Sequence, residues 1–334
     1  MANAFFVEAT SKLQTTISVL IPAYNAANFI LEALDSVSAQ SRPPDQIIVV
    51  DDGSTDNTTE LVRRWSADKC IAVDLIRQKN MGLPGARNRG IRQSGFELIA
   101  LLDADDLYLP DHLAKMEHVI RSQPGVIAAF GDGVTFGPSG IDSAPFSRCR
   151  AIAAASTTDG SGIYILGKDL YRSLLPGNYI MPCSFVFRRE AAMKMGLFDE
   201  SLRYIEDRDF MLRLSKEGSF AFLDRVTVRA RVHGSNITHP KNTIRNTYFV
   251  LRVLEKALAQ AEEYGLDQQE FLLTRAEFRR TANLLMYVSS VEGLKAYMQA
   301  VRWLSGKHSA ISIINPKHAL RALYYTFTHF PRTR

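Results

Sequence analysis

Cysteine is scarce. The 334 residues hold three, Cys70, Cys149 and Cys183, far apart and without ligand-like spacing. That argues against a disulfide framework and a structural zinc site, and suits a reducing compartment. Long apolar runs are absent too: none approaches the ~18–20 residues that a membrane-crossing helix needs. Residues 1–14 carry Glu8 and Lys12 and only a short Phe5-Phe6-Val7 apolar cluster. Without a basic start followed by a long apolar stretch, they do not read as a secretory signal, and a cytoplasmic protein is expected. Internal repeats and low-complexity tracts are missing as well. With 46% hydrophobic and 22% charged residues, the composition is that of a folded protein, not of a disordered, collagenous or coiled-coil chain. The length suits two domains, or one large domain with an appendage.

Acidic residues run out toward the C-terminus. The chain is +5 overall, with 40 basic and 35 acidic residues, yet residues 241–334 hold 14 basic and 7 acidic ones. From Val301 onward there are 6 basic residues and no acid, while the first 240 residues balance at −2. A basic tail on a near-neutral body suits an anionic partner; by charge alone that is phospholipid, nucleic acid or an acidic protein.

What is present is an alternation of two periods. Residues 16–21, a short apolar run with β-branched side chains, and residues 46–50, 71–77 and 97–102 read as strands. Between them, Ile30, Ala33, Leu34 and Val37 fall at helical spacing, Asp56 is placed to cap a helix through about residue 67, and residues 84–94 read as a third helix. Strand–helix alternation predicts an α/β fold with a mainly parallel central sheet flanked by helices, in which ligands bind beyond the carboxyl ends of the strands. Residues 131–162 are rich in Gly, Ser, Ala and Pro and read as a long loop or hairpin with little regular structure. Strands are expected at 181–187 and 220–232, helices at 189–195 and 206–216. After Pro240 the texture turns helical. Ile244, Tyr248, Leu251 and Leu258 share one face, and Asp267 with Glu270 forms a capping-box pattern.

The residues that follow the first four strands are polar and rich in glycine: Pro22-Ala23-Tyr24-Asn25, Asp51 to Asp56, Asn80 to Asn88, and Asp103-Ala104-Asp105-Asp106. Carboxylates as close as Asp103 and Asp105 repel unless a cation joins them, and Mg²⁺ or Mn²⁺ takes carboxylate together with phosphate oxygen. The same residues also suit an acidic loop that caps the next helix. Asp51-Asp52-Gly53 fits a strand-to-helix turn, and also a carboxylate that accepts from a nucleobase N–H. Gly82 to Asn88 opens a helix, with Arg87 able to meet a diphosphate or ribose. Glu206-Asp207 begins another helix, where the dipole favours acids and where a general base could stand. His233, near Gly234 and Asn236 at a strand end, suits metal or phosphate as well as a structural role.

In this order the segments resemble the family 2 glycosyltransferases, which have the GT-A fold. The resemblance runs from about Ile17 to Asn236, through Pro22-Ala23-Tyr24-Asn25, Val50 to Asp56, Asn80-Met81-Gly82, Ala86-Arg87-Asn88, and Leu102 to Asp106 with Pro110. It continues through Gly196 to Glu200, Glu206-Asp207, and Arg231 to Asn236. It implies a GT-A domain over residues 15–240, with a donor half at 15–130 and an acceptor half at 131–240. Residues 1–14 are then an N-terminal extension and residues 241–334 a helical C-terminal region. It implies donor contacts from Pro22, Ala23, Tyr24, Asn25, Asp52, Gly82, Arg87, Asn88, Asp103 and Ala104. Asp105, with Asp103 and His233, is implied to hold Mn²⁺ or Mg²⁺, and Asp207, with Glu206 the second candidate, to be the base.

The implied reaction is inverting transfer of a sugar from a nucleoside-diphosphate sugar, most commonly UDP-linked, to a hydroxyl of a glycan or lipid-linked acceptor, as in polysaccharide synthesis. A nucleotidyltransferase would carry a glycine-rich, basic loop after the first strand, which Pro22 to Ala27 lacks. A non-catalytic sugar-nucleotide-binding module would be expected to lose carboxylates that are all present here. Beyond the resemblance, Leu320, Leu323, Tyr324 and Phe327 repeat at helical spacing beside Lys317, Arg321, Arg332 and Arg334. Residues 316–334 therefore suit an anionic membrane surface at the inner face of the plasma membrane. The alternative is packing of that stripe on the enzyme body or on a second subunit. Nucleic acid is not expected as a partner, and a homo-oligomer stays open.

Overall fold

The computed structural model describes residues 15–137, 145–158, 160–234, 240–305 and 316–328. The first half alternates as the periods dictate: β1 (Ile17–Ala23), α1 (Ile30–Ser38), β2 (Gln46–Asp51), α2 (Thr58–Lys69), β3 (Asp74–Arg77), α3 (Gly82–Gln93) and β4 (Leu98–Leu101). Every residue of β1 and β4 is buried. That is the pattern of central parallel strands covered on both faces. β1 pairs in parallel with β2 on one side and β4 on the other, and β2 pairs in parallel with β3. The β4 ladder ends at Leu20, so Pro22, which lacks an N–H, sits where that neighbour has already left. Ile30, Ala33, Leu34 and Val37 are the buried face of α1, as their spacing predicts. Asp56 does accept the Thr58 N–H at 3.0 Å, but Asn57 rather than Asp56 flanks the helix.

The second half departs from the sequence reading over residues 131–162, whereas the expected helices at 189–195 and 206–216 and the strand at 220–232 are present. After β5 (Leu107–Tyr108) and α4 (His112–Ser122), the stretch read as loop from residue 131 holds the second half of an 11-residue strand, β6 (Val126–Phe136), and a short helix, α5 (Arg148–Ala154). Its small residues are buried between neighbouring strands, so low side-chain bulk here marks close packing rather than a loop. β7 (Thr157–Thr158), β8 (Ile163–Leu166), α6 (Leu170–Leu174), β9 (Phe185–Arg188), α7 (Arg189–Lys194), α8 (Glu206–Leu214) and β10 (Ser219–Arg231) follow. The ten-stranded sheet runs β3-β2-β1-β4-β9-β6-β10-β8-β7, with β5 paired to β10. It is parallel through β4. Beyond that it is mixed: β9 is antiparallel to both β4 and β6, while β6 and β10 are parallel.

Four helices complete the described chain: α9 (Thr243–Ala259), α10 (Gln268–Val291), α11 (Leu294–Ser305) and α12 (Pro316–Thr328). The capping box at Asp267 and Glu270 is formed in both directions. These helices share one hydrophobic core with the sheet, through Leu251, Leu254, Phe278 and Leu285. Polar bonds reinforce that docking. Asp209 of α8, fully buried, accepts from Tyr264 Oη at 2.5 Å, Arg213 Nε at 2.9 Å and Lys256 Nζ at 3.2 Å. On α12, Ala322 is buried and Thr326 Oγ1 accepts the Leu294 N–H at 2.7 Å. The predicted apolar stripe therefore faces outward rather than into the body, with Leu320, Leu323 and Tyr324 exposed. The Phe327 side chain, Arg332 and Arg334 lie outside the described residues.

His112, at the start of α4, is fully buried against the Tyr108 ring, 4.2 Å between centroids. Both ring nitrogens lack a partner among the described residues. Burial depresses its pKa from 6.5 to about 3. The unfolded chain thus takes up a proton that the folded chain refuses, so stability falls as pH drops from 6.5 toward 3, by up to about 1.4 kcal/mol per pH unit. Urea midpoints measured across that range should show this slope, and His112→Phe should flatten it.

Candidate active site

The strand ends do converge on one rim, and buried carboxylates tie its loops together. Asp51 Oδ1 accepts the Ser54 N–H at 2.7 Å, and Thr59 Oγ1 donates to Oδ2. Burial alone would raise the Asp51 pKa. The Thr59 and Ser54 hydrogen bonds and the Arg77 charge outweigh it and hold the carboxyl below its ordinary value. Asp52, 3% exposed, accepts from Gln78 Nε2, Met81 N and Gly82 N, each at 2.8 Å. Three of its roughly four acceptor positions are therefore spent on the loop before α3. Gly53 turns at φ +81°, and a Cβ there would stand 3.0 Å from Asn80 N, so the two loops can close only around glycine. Asn25, at φ +50°, accepts the Thr55 N–H at 2.8 Å, and Ser54 Oγ accepts the Asn25 N–H at 3.0 Å. Pro22 and Ala23 are buried, whereas Tyr24 is 52% exposed at the mouth of these loops.

Arg87 lies inside, not on the rim. It is 1% exposed on α3, and its guanidinium donates to Asp103 Oδ1 and Glu206 Oε1, each at 2.8 Å. One cation thus joins the carboxylate after β4 to the one that opens α8, Glu206, which lies 119 residues beyond Arg87 in the chain. Burial pushes the Glu206 carboxyl up to about 7, with the Asp207 charge adding to the rise and Arg87 opposing it. The Asn88 amide donates to Phe198 O and Glu200 Oε1, each at 2.9 Å, and accepts the Phe198 N–H at 2.9 Å. Its donors are used and it is buried. The Arg87 and Asn88 side chains, expected near ribose or diphosphate, make bonds that hold neighbouring segments in place.

Asp105 and His233 meet directly, Oδ2 to Nε2 at 2.9 Å, and both keep partial exposure. Burial, then the charge of Asp103, raises the Asp105 carboxyl, against the His233 hydrogen bond. Asp106 is buried, accepts the Arg231 N–H at 2.8 Å, and is pushed well up by burial and by the charges of Asp103 and Asp105. Arg231 Nε donates to Asp105 O at 2.9 Å. The His233 ring stacks on Phe29 at 4.9 Å, so β10 and the start of α1 orient it. Among the described residues no three His, Cys, Asp or Glu side chains form a ready cage. The set fits an ion that one or two protein ligands share with a substrate diphosphate. It consists of a carboxylate and an imidazole already facing each other, with a second carboxylate whose charge a cation would offset. Ser235 and Asn236 lie outside the described residues.

Asp207 sits beside Glu206 on the first turn of α8 but faces differently. It is half-buried, and its Oδ2 accepts from Asn178 Nδ2 at 2.7 Å. Ile205 ahead of it holds φ +61°, a left-handed backbone that a β-branched residue adopts only under strain. The two α8 carboxylates divide: Glu206 turns inward to Arg87, and Asp207 keeps partial exposure beside Asn178. Sequence reasoning missed Asn178 and Phe29. Nothing local marks either one; the fold alone brings Asn178 to Asp207 and Phe29 to His233.

The Glycosyl transferase family 2 profile matches residues 18–195. An uncharacterized glycosyltransferase of Rickettsia typhi is 30% identical over 263 residues, which is 78% of this chain and 73% of the relative. Chondroitin synthase of Escherichia coli is 25% identical over 240 residues, 71% of this chain but 32% of that enzyme. The chain likewise spans only 34% of a longer glycosyltransferase relative from Rickettsia felis. Among solved structures, Staphylococcus aureus TarS superposes with a TM-score of 0.63 at 18% identity, covering 94% of this chain and 53% of TarS. The mannosyltransferase PcManGT of Pyrobaculum calidifontis, solved with GDP-Man and Mn²⁺, gives 0.54 at 20% identity, covering 95% and 86%. With the profile spanning more than half its length over the β1-to-α7 frame just described, the chain belongs to glycosyltransferase family 2 and has the GT-A fold.

Proposed function

We propose that this glycosyltransferase moves a sugar, with inversion and with help from a divalent cation, from a nucleoside-diphosphate sugar to a hydroxyl of a glycan or lipid-linked acceptor. The observation that supports the reading is Arg87, whose guanidinium bonds both Asp103, beside the Asp105–His233 pair, and Glu206, beside the half-buried Asp207. In this reading Asp103 and Asp105 serve the donor and Asp207 the acceptor. Tyr24 offers an exposed aromatic face for a base, Asp52 sets the loop beside it, and Gly82 opens α3 toward the diphosphate. Asp207 takes the acceptor proton as the new bond forms, because a neutral hydroxyl is a poor nucleophile. Asn178 holds that carboxylate in place. Attack opposite the leaving diphosphate inverts the anomeric centre.

Asp105 and His233, with Asp103 close by, would hold the cation. When bound it would offset charge on the departing diphosphate. Mixed oxygen and nitrogen ligands favour Mn²⁺ over Mg²⁺. A related TarS structure solved with UDP-GlcNAc supports a uridine donor, PcManGT with Mn²⁺ supports the ion, and chondroitin synthase supports polysaccharide synthesis.

Mn²⁺ supplied with UDP should raise the thermal midpoint by about 5 °C at saturation, and Asp105→Ala should remove the shift. Scanning fluorimetry checks both. The reaction class is tested by hydrolysis of a panel of nucleotide sugars, with the anomer of the freed sugar read by NMR. Initial release of the inverted anomer, dependent on Asp207, is expected. Release of the retained anomer would overturn the reading.

A further inference from the structure

The C-terminal helices present an apolar and aromatic face that the transfer chemistry does not use. On α12, Leu320 is 68% exposed, Tyr324 63% and Leu323 40%; on α10, Leu284 is 44% exposed and Tyr287 47%. The two helices pack against each other beside this stripe. The Arg321 guanidinium lies 4.5 Å over the Tyr287 ring, and the His318 ring stands 6.2 Å from it. Single exposed apolar residues are ordinary on any surface, but three on one face of α12, with two more on the helix it packs against, are the pattern of a binding surface.

Charge selects the occupant. From Arg279 to Thr328 the sequence contains one acid, Glu292. Lys295 and Arg302 of α11 and Lys317 and Arg321 of α12 all lie in that span. A second copy of the chain, docked about a two-fold axis, would set like basic groups against each other. A surface of anionic phosphates would neutralise them. Among the described residues no helix is long and apolar enough to cross a membrane, and α12, with 13 residues, is about 20 Å long. That length suits a helix lying flat at the headgroup boundary.

We propose that this face docks on an anionic phospholipid surface. Leu320, Leu323 and Tyr324 enter the boundary between headgroups and acyl chains, and Lys317 and Arg321 lie among the phosphates. The inward side of α12, Ala322 and Thr326, keeps its bonds to the body, so docking needs no unfolding. An enzyme held this way meets lipid-linked acceptors in two dimensions, a consequence that rests on the proposed transfer activity. The docking itself does not.

Sedimentation of the full chain with vesicles of roughly 3:1 phosphatidylcholine to phosphatidylglycerol, against vesicles of phosphatidylcholine alone, tests the proposal without any sugar donor. Binding is expected only to the anionic vesicles, and it should weaken steeply in about 0.5 M salt. The double variant Leu320→Ser, Tyr324→Ser should bind about tenfold or more weakly with the parent's melting temperature, since both side chains point to solvent. If that variant fails to fold, Lys317→Glu, which removes no apolar packing, must show the same loss. Equal binding to both vesicle types, no binding, or parent-level binding by the folded variants would overturn the proposal. So would a parent that self-associates through this face, becomes monomeric in the double variant and ignores vesicles. Failure on vesicles would leave the transfer reading of the active site intact, and failure of transfer would leave vesicle binding intact.

Discussion

Asp207→Asn is expected to bind a nucleoside diphosphate as the parent does and to lose transfer by about 10²–10⁴-fold, the range that general base catalysis supplies. The change is nearly isosteric. An amide oxygen at this position still accepts from Asn178, whose Nδ2 lies 2.7 Å from Asp207 Oδ2, but an amide cannot take a proton from a hydroxyl. The neighbouring Glu206 makes a sharp control. It is 4% exposed and aimed at Arg87, so Glu206→Gln should disturb the buried pair and leave the proton acceptor in place. Titration calorimetry for binding and single-turnover transfer for rate separate the two variants. A Glu206→Gln that loses transfer while Asp207→Asn retains it would move the base by one residue.

Arg87→Ala should destabilise the fold by about 3–5 kcal/mol, because it leaves the buried Glu206 and the partly exposed Asp103 without their cation. Asp103 and Glu206 each bond the guanidinium at 2.8 Å, and the Arg87 cation also lies 5.4 Å from the Phe198 ring centroid. Nothing small can replace that reach. Arg87→Lys keeps the charge but not the two-armed geometry and should recover only part of the loss. Combining Arg87→Ala with Glu206→Gln removes both a charge and its partner, so the double variant should be more stable than the sum of the single losses predicts. Denaturant midpoints provide the check. An Arg87→Ala variant as stable as the parent would mean that the carboxylates find other partners.

Much of this architecture was written in local pattern. The continuous apolar runs of β1, β2 and β4, the i, i+3, i+4, i+7 face of α1 and the Asp267–Glu270 capping box each carry their own short-range signal. The polar clusters after the strands were equally legible, and their placement on one rim follows from parallel pairing. The strand β6 was not. Its residues Gly131 and Gly133 resemble a loop in composition, and only close neighbours in the sheet make small side chains suitable there. Side-chain direction was also hidden. Arg87 and Asn88 occupy the positions where donor contacts were expected, yet α3 turns both inward, toward Glu206 and the segment at Phe198. Asp51 and Asp52 read as part of a turn or as a nucleobase acceptor, and the N–H groups they accept from lie in loops that local sequence does not connect. The stripe of Leu320, Leu323 and Tyr324 was visible as a periodicity, but which way it faces depended on small residues, Ala322 and Thr326, seating the opposite side of α12.

The central claim is that the rim between Asp103 and His233 receives a nucleoside diphosphate together with a divalent cation. Calorimetric titration of UDP and GDP into the full chain tests it, with Mn²⁺ and with a chelator, for the parent and for Asp105→Ala. Binding of one nucleotide that needs Mn²⁺ and is lost in Asp105→Ala is the predicted result; binding that survives the chelator and the substitution unchanged would contradict it.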